Sequence, residues 1–183
     1  QRTSIAYKGY EEGRQPIFKL SDVDYIQKRI PEIEYISPGH NLGAFGGSAP
    51  IVVRGTKTDN FTIFGNYPNY ATITVKKLFD GGRWINEEDM RLERKIAIIG
   101  EGTVDRLFDI DEDPIGEYIK INDINFKVVG IHKFSRNSGF GSDSDIYIPF
   151  TTFAKIYNTG DKFGFMFITG YDYVNPEYLG NAK

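Results

Sequence analysis

Residues 95–131 read KIAIIGEGTVDRLFDIDEDPIGEYIKINDINFKVVGI, and this stretch does most to fix the fold class. After Lys95, the next five residues form a continuous apolar run of the kind found in a strand buried on both faces. Val104, Leu107 and Phe108 then recur at helical spacing, which predicts a short helix. Two further strand patterns, at residues 118–121 and 125–129, flank a short turn and predict a β-hairpin.

Strand-sized patterns continue on both sides of this stretch, at residues 5–7, 33–35, 51–53, 61–64, 146–148 and 163–169. A short amphipathic helix is predicted with Ser21 as its N-cap and Asp24 at the capping-box position, ending at Pro31. Residues 38–50 contain four glycines and are expected to form a mobile loop. Many short strands, few short helices and no βαβ alternation predict an α+β fold with small mixed sheets.

Composition places the chain among ordinary globular proteins. It has 183 residues, 40% hydrophobic and 26% charged, which is enough to bury a real core. The 22 basic and 25 acidic residues give a net charge of −3, so we do not expect nucleic acid as a partner. The chain has no cysteine, which excludes disulfides, thiolate metal sites and a cysteine nucleophile.

The sequence has no apolar run of the roughly 18 residues that a membrane-spanning helix needs. It begins with Gln1, and no signal-peptide pattern precedes the first strand. We therefore interpret the chain as a segment of a longer protein, in which a membrane span could lie outside the segment.

Two histidines, His40 and His132, are the candidates for a histidine-dependent site. A zinc site needs three or four ligands in a compact pattern, and a catalytic triad needs a nucleophile, a histidine and an orienting acid. Neither pattern is present. We expect both histidines to be surface or edge-strand residues.

Two acidic segments are candidate sites. Glycoside hydrolysis needs two carboxylates across a cleft, and neighbours such as Glu87, Glu88 and Asp89 suit a solvated turn and helix start better. The segment 138–145, SGFGSDSD, could cradle an anion, and its Asp143 and Asp145 could hold a hard cation such as calcium. Because it leads into a strand and lacks a phosphate-loop lysine, we favour an exposed loop, with the cation site as the alternative.

Aromatic residues are abundant, at 15% of the chain. Phe64, Tyr67 and Tyr70 could stack on sugars or bases, but aromatic residues in strand patterns are more often part of the core. Residues 60–62, NFT, form a glycosylation sequon that matters only in an organism that uses it.

From residue 82 onward, a series of short motifs occurs in a particular order. In chain order they are GRWIN with Asp89, KIAIIG at 95–100, LF at 107–108, DPIG at 113–116, IKI at 119–121, FKVVGI at 126–131, and IYIP at 146–149 with Thr151 and Thr152. Their order and spacing resemble the MacB-like periplasmic core domains of bacterial ABC transporter permeases, a family related to FtsX and LolC. The first eighty residues match more loosely, through the Lys8-Gly9 and Gly13-Arg14 turns, a helix ending in Ile30-Pro31, and Val53-Arg54-Gly55.

We interpret the motif residues as structural. Gly116 and Gly130 are expected to take conformations or close contacts that a side chain would spoil, and Pro114 to fix the chain between helix and hairpin. Leu107 and Phe108 should anchor the short helix on the sheet, at about 1.5–3 kcal/mol each. The full set is Gly82, Arg83, Gly100, Leu107, Phe108, Pro114, Gly116, Phe126, Gly130 and Pro149.

The resemblance implies a non-catalytic periplasmic domain of an inner-membrane protein, without a cofactor or metal. It implies a porter-like subdomain from residues 1–69 and 163–183, truncated at its C-terminal side, and an inserted β-rich subdomain from residues 70–162. It also implies one membrane helix before Gln1 and three after the domain.

The implied partners are a second copy of the permease or a paralogue, an ATP-binding subunit or domain, and a periplasmic adaptor protein. ATP binding in the cytoplasm would move the paired external domains and so drive export or extraction of a substrate. Two alternatives remain open: a secreted or surface module that binds sugar or peptide through exposed tyrosines, and a hydrolase that uses residues 87–89 or the Asp143/Asp145 loop.

Overall fold

The computed structural model describes residues 18–44, 47–134 and 141–171, and these contain eleven strands and five short helices. The strands are β1 (Phe18–Lys19), β2 (Ile33–Leu42), β3 (Ile51–Arg54), β4 (Lys57–Asn60), β5 (Ile63–Asn66), β6 (Ile96–Gly100), β7 (Tyr118–Ile121), β8 (Ile124–His132), β9 (Ile146–Pro149), β10 (Lys162–Phe163) and β11 (Phe165–Gly170). The helices are α1 (Leu20–Arg29), α2 (Tyr70–Ile73), α3 (Glu87–Arg91), α4 (Glu101–Leu107) and α5 (Phe150–Ile156). The strand predicted at residues 5–7 and the turns at Lys8-Gly9 and Gly13-Arg14 lie outside the described residues.

Nine strands form one mixed sheet in the order β11-β2-β5-β9-β6-β8-β7-β3-β4, and β1 pairs with β10 in a separate ribbon. The β5–β9 and β6–β8 pairs are parallel, and the other pairs are antiparallel. The predicted α+β class is confirmed. The strands join in one large sheet because β9 pairs with both β5 and β6, which links the N-terminal strands to the central ones.

Strand β6 forms the centre of the molecule, as the apolar run predicts. All five of its residues are buried. Ile96 and Ile98 face one hydrophobic cluster, and Ala97 and Ile99 face another on the opposite side of the sheet. Both faces of β6 are covered, so a polar side chain on either face would lose its contact with water, which explains the unbroken apolar run.

The predicted hairpin is also confirmed. β7 pairs with β8 through a two-residue loop, and both loop residues take positive φ, 45° at Asn122 and 65° at Asp123. Two positive φ values are typical of the type I′ turn, which suits the twist of antiparallel strands.

Helix α1 begins earlier than predicted. Its N-cap is Lys19, and the capping contact is made by the Asp22 carboxylate, which accepts the Lys19 N–H at 2.8 Å. The Leu20 N–H donates to the Asp161 carbonyl at 2.8 Å. The assignment of Ser21 as the cap was therefore wrong, because the end of β1 fixes where the helix starts.

Part of the predicted loop at residues 38–50 belongs to a strand. Pro38–Leu42 lies within β2, which pairs with β11 on one side and β5 on the other. Gly39 fits there because a side chain at this position would overlap the Phe165 ring and the Asn66 amide. The close approach of these neighbours explains a glycine inside a strand.

Strands on both sides of the predicted subdomain boundaries, at residues 69/70 and 162/163, belong to the same nine-stranded sheet. The division into two subdomains stays a prediction. No helix of the described residues is long and apolar enough to cross a bilayer.

Candidate functional site

Asp89 is a buried residue in the first turn of helix α3, which precedes β6. The expectation of a solvated acidic cluster holds for Glu87 and Glu88, which are exposed, and is wrong for Asp89, whose side chain is fully buried. Its carboxylate accepts two hydrogen bonds from the Arg83 guanidinium, at 2.6 and 3.0 Å, and one from the Asn86 N–H at 3.0 Å. Burial would raise the pKa of Asp89, but these bonds hold it below its usual value. The carboxylate is fixed in a structural role.

Residues 141–145 close over the N-terminal end of α4. Residues 138–140 of the predicted loop lie outside the described part, and the expectation of exposure is wrong for Ser144 and Asp145, which are 7% and 4% exposed. The Asp145 carboxylate accepts the Ser142 N–H at 2.6 Å and the Ser142 hydroxyl at 2.8 Å. The Thr103 hydroxyl donates to the Ser144 carbonyl at 2.7 Å. Burial raises the pKa of Asp145.

The arrangement around Asp145 does not resemble a calcium site. The Asp145 oxygens point at Ser142, while Asp143 is exposed and accepts the Ser144 hydroxyl at 2.6 Å. Among the described residues, no group of three or more His, Asp or Glu side chains is placed to hold a metal ion. Hydrogen bonds from Gly102 and Thr103 to the carbonyls of Asp143 and Ser144 connect this segment, which precedes β9, to the start of α4.

His132 is buried at the end of β8, which is not an edge strand, so the expectation of a surface or edge-strand residue was wrong. One ring nitrogen, Nε2, lies 2.9 Å from the Asp145 carbonyl oxygen, which can only accept, so Nε2 carries the proton and Nδ1 does not. Burial lowers the pKa of His132 to about 4, and the ring is therefore neutral at pH 7. A base with so low a pKa is poorly matched to proton transfer at neutral pH.

His132 belongs to a polar aromatic cluster with Tyr70, Trp84 and Tyr147. The Tyr147 ring lies 5.1 Å from His132, 5.2 Å from Trp84 and 5.6 Å from Tyr70, centroid to centroid. The Tyr70 and Tyr147 hydroxyls and the Trp84 Nε1 are buried without a hydrogen bond of good geometry. Burial raises the pKa of Tyr70 to about 12 and that of Tyr147 well above its usual value. All four side chains are therefore uncharged at pH 7, and the cluster contributes packing.

His40 is also not on an edge strand. It lies on β2, half-buried, with its ring stacked on Phe153 at 5.2 Å. The Asn41 N–H donates to its Nδ1 at 3.2 Å. Stacking and this hydrogen bond account for the side chain.

The motif glycines Gly82 and Gly130 lie where two backbone segments touch. A Cβ atom on Gly130 would sit 2.5 Å from the Arg83 carbonyl oxygen, and a Cβ on Gly82 would sit 2.8 Å from the Gly130 Cα. The Arg83 N–H donates to the Val129 carbonyl at 2.8 Å. The segment that carries Arg83 is thereby held against β8, which aims the guanidinium at Asp89.

The remaining motif residues lie in the core or at the ends of elements. Leu107, Phe108 and Phe126 are at most 3% exposed and belong to one hydrophobic cluster. Pro114 is buried in the turn before β7, and Pro149 ends β9. The other two are glycines: Gly116 has φ of +96°, and Gly100 packs against the Asp143 backbone.

The aromatic residues considered for stacking are core residues, which is the interpretation favoured from sequence. Phe64 and Tyr70 are buried, and Tyr67 packs on Phe150 at 5.1 Å. The sequon asparagine, Asn60, is exposed and donates to the Ala49 carbonyl at 2.8 Å.

Sequence reasoning missed the junction between the β3–β4 hairpin and residues 106–112, which comprise the end of α4 and the segment after it. Arg54 pairs with Glu112, and its guanidinium lies 4.2 Å from the Phe108 ring centroid. The Arg54 guanidinium also lies 3.4 Å from the Glu117 carboxylate. Two further ion pairs join Lys57 to Asp109, at 2.7 Å, and Arg106 to Asp59, at 3.1 Å. The signal in the sequence was the opposite charge of residues 54–57 and 109–113, which does not by itself specify pairing.

Comparison with known proteins gives a consistent picture. The profile of the MacB-like periplasmic core domain matches residues 2–178. The chain is 35% identical, over 98% of its length, to the macrolide export ATP-binding/permease protein MacB of Chlorobium phaeobacteroides. It is 28% identical, over 72% of its length, to the pyoverdine export ATP-binding/permease protein PvdT of Pseudomonas syringae. It spans only 26% and 20% of these two proteins.

Solved structures share the fold. The periplasmic region of MacB from Actinobacillus actinomycetemcomitans superposes with a TM-score of 0.76 at 20% identity, covering 98% of this chain and 77% of that one. The extracellular domain of the ABC-type transporter YknZ from Gram-positive bacteria superposes with a TM-score of 0.70 at 13% identity, covering 90% and 77%.

Proposed function

Because the chain belongs to the family of MacB-like periplasmic core domains, we propose that it is the extracytoplasmic domain of an ABC transporter permease. In this role it transmits ATP-driven movement of membrane helices to the export or extraction of a substrate, and it carries out no reaction itself.

The observation that carries the mechanical part of this proposal is the continuous nine-stranded sheet. Strands from the two predicted subdomains are hydrogen-bonded to each other, β5 with β9 and β3 with β7. A body that transmits movement must keep its shape while it is displaced, and close-packed interiors have low compressibility. The sheet, with a hydrophobic cluster on each face, supports such a role.

The buried ionisable groups also favour a mechanical role over hydrolysis. Asp89, Asp145 and His132 are each held by hydrogen bonds to neighbouring backbone or side chains. Likewise, the burial of Phe64 and Tyr70 argues against a sugar-binding surface built from them.

The proposal extends to partners and parts. The partners are a second copy or a paralogue, an ATP-binding subunit or domain, and a periplasmic adaptor. The parts are a porter-like subdomain, of residues 1–69 and 163–183, and an inserted β-rich subdomain, of residues 70–162. The relatives are named for the export of two different substrates, macrolides and pyoverdine. We therefore propose that the transporter exports a substrate and do not assign the chemistry of that substrate.

The test interrupts the mechanical connection. In the full-length protein, about ten Gly/Ser residues are inserted directly before Gln1, where a flexible segment cannot transmit force. The control inserts the same residues at the exposed β3–β4 turn, after Gly55, where a Cβ atom would have no neighbour within 4 Å. Export is scored as rescue of a strain that lacks the gene, and ATP hydrolysis is measured on the purified transporter.

We expect the first insertion to abolish rescue while ATP hydrolysis continues, and the control insertion to retain both. Full rescue by the first variant would refute force transmission.

A further inference from the structure

One half of the large sheet has a face that no other described element covers. Along β3, β4, β7 and β8, alternate side chains point into the hydrophobic cluster that contains Val52, Ile119, Ile121 and Phe126. The others point outward and form what we call the open face: Ile51, Val53, Thr58, Asn60, Tyr118, Lys120, Asn125 and Lys127.

The strand register makes the open face contiguous. Val53 lies directly opposite Lys120, Lys120 opposite Asn125, and Tyr118 opposite Lys127. Residues paired in this way point to the same side of a sheet, about 4.5–5.5 Å apart. Ile51 and Tyr118 are 53% and 56% exposed, so large apolar side chains stand in solvent on the same face as the lysines.

The charge on this face has one sign. It carries Lys120 and Lys127 and no carboxylate, although the chain as a whole has a net charge of −3. Asp59 of β4 points to the opposite side of the sheet, where it pairs with Arg106. A basic face with exposed apolar side chains is complementary to a surface that has carboxylates beside apolar groups.

We propose that the open face docks an acidic protein surface in which carboxylates alternate with apolar side chains. This deepens the proposed function by giving the chemistry of a partner for the extracytoplasmic domain. The choice of a protein over anionic lipid rests on that proposed function. β3 lies seven strand spacings from β11, which is about 34 Å at about 4.8 Å per strand. Strand β11 is the strand that leads toward the proposed C-terminal membrane segments, so the β3 part of the open face lies toward the other end of the sheet from that strand.

The experiment uses the 183-residue chain and a defined probe. The probe is the extended peptide acetyl-ETVTETFTE-amide, in which glutamates alternate with Val and Phe along one face of the strand, and the reference peptide carries lysine in place of each glutamate. Binding is followed by backbone amide chemical shifts at low ionic strength. We expect shifts at the open-face residues with the acidic peptide and none with the basic one.

Two matched double variants locate the interaction. Lys120→Glu with Lys127→Glu reverses the charge of the open face, while Lys77→Glu with Lys133→Glu makes the same change at exposed lysines elsewhere, so both take the net charge from −3 to −7. We expect the first pair to weaken peptide binding roughly tenfold or more and the second to weaken it much less. Tyr118→Ser, which keeps both lysines, should also weaken binding.

Equal weakening by both double variants would overturn the proposal, because it would show attraction to net charge alone. Absence of open-face shifts at about 1 mM peptide would overturn it as well. Lysine-dependent binding to vesicles containing phosphatidylglycerol, with no peptide binding, would assign the face to lipid and refute a protein partner. The linker insertion tests the mechanical role separately, since it leaves the open face intact.

Discussion

Replacement of Gly130 by alanine tests the packing that positions the Arg83–Asp89 pair. The added Cβ would lie 2.5 Å from the Arg83 carbonyl oxygen and 3.3 Å from the Arg83 nitrogen. Both are backbone atoms, so no side-chain rotation relieves the overlap. The segment of Gly82 and Arg83 must move away from β8, and the hydrogen bond from the Arg83 N–H to the Val129 carbonyl is lost or stretched.

The expected loss of stability has two parts. Overpacking of a close contact costs about 1–3 kcal/mol. A weakened hydrogen bond and a displaced guanidinium beside the buried Asp89 add about 1 kcal/mol or more. We expect a loss of about 3 kcal/mol for Gly130→Ala, and at least as much for Gly130→Val. For a chain of this size, 3 kcal/mol lowers the melting temperature by roughly 6–12 °C.

The assay is urea unfolding followed by circular dichroism and by tryptophan emission, since Trp84 is the only tryptophan and adjoins Arg83. The control is Gly55→Ala, at a glycine with φ of +57° and no atom within 4 Å of the new Cβ. It adds backbone strain of about 1–2 kcal/mol without a clash. The reasoning is refuted if Gly130→Ala costs less than about 1 kcal/mol, or less than the control.

Three further predictions concern single positions. The folded-state pKa of His132 is about 4, below the usual 6.5, so the unfolding free energy should fall by up to about 3 kcal/mol as pH drops from 6.5 to 4. The variant His132→Gln should lose this pH dependence of the unfolding free energy. An unfolding free energy of the wild type that stays constant over this range would contradict the prediction. Val75→Gly should raise the unfolding free energy by about 0.5–1 kcal/mol in chemical denaturation, because exposed Val75 has φ of +49°; a loss of stability would count against this. Asp145→Ala should cost about 2 kcal/mol and Asp143→Ala less than about 0.5; strong thermal stabilisation of the wild type by calcium would revive the cation site.

The elements that sequence predicts well here are those whose cause is local. The apolar run of β6 reflects burial on both faces, and the β7–β8 hairpin reflects turn residues that tolerate positive φ. Strand β4 was missed because its sequence, KTDN, has no apolar alternation, and it is held as an edge strand by pairing with β3.

Burial of polar groups was the least predictable feature. His132 and Asp145 are buried because their segments meet across the fold, and the two residues are thirteen positions apart along the chain. Asp89 stands in an acidic run that suggests solvent, yet its partner Arg83 comes from the preceding turn. The family resemblance indicated the positions of Gly82 and Gly130, but only the structure gives the backbone contact between them.

The most direct test of the central claim is a pair of distance measurements by spin labelling in the full-length transporter, for which this domain supplies a cysteine-free background. Labels at exposed Tyr35 and Ile110 report the shape of one copy, and a single label at Ile110 reports the separation of two copies. The account predicts that the Tyr35–Ile110 distance stays the same on ATP binding while the Ile110–Ile110 distance changes by about 5 Å or more. An unchanged distance between copies, or a larger change within one copy, would contradict it.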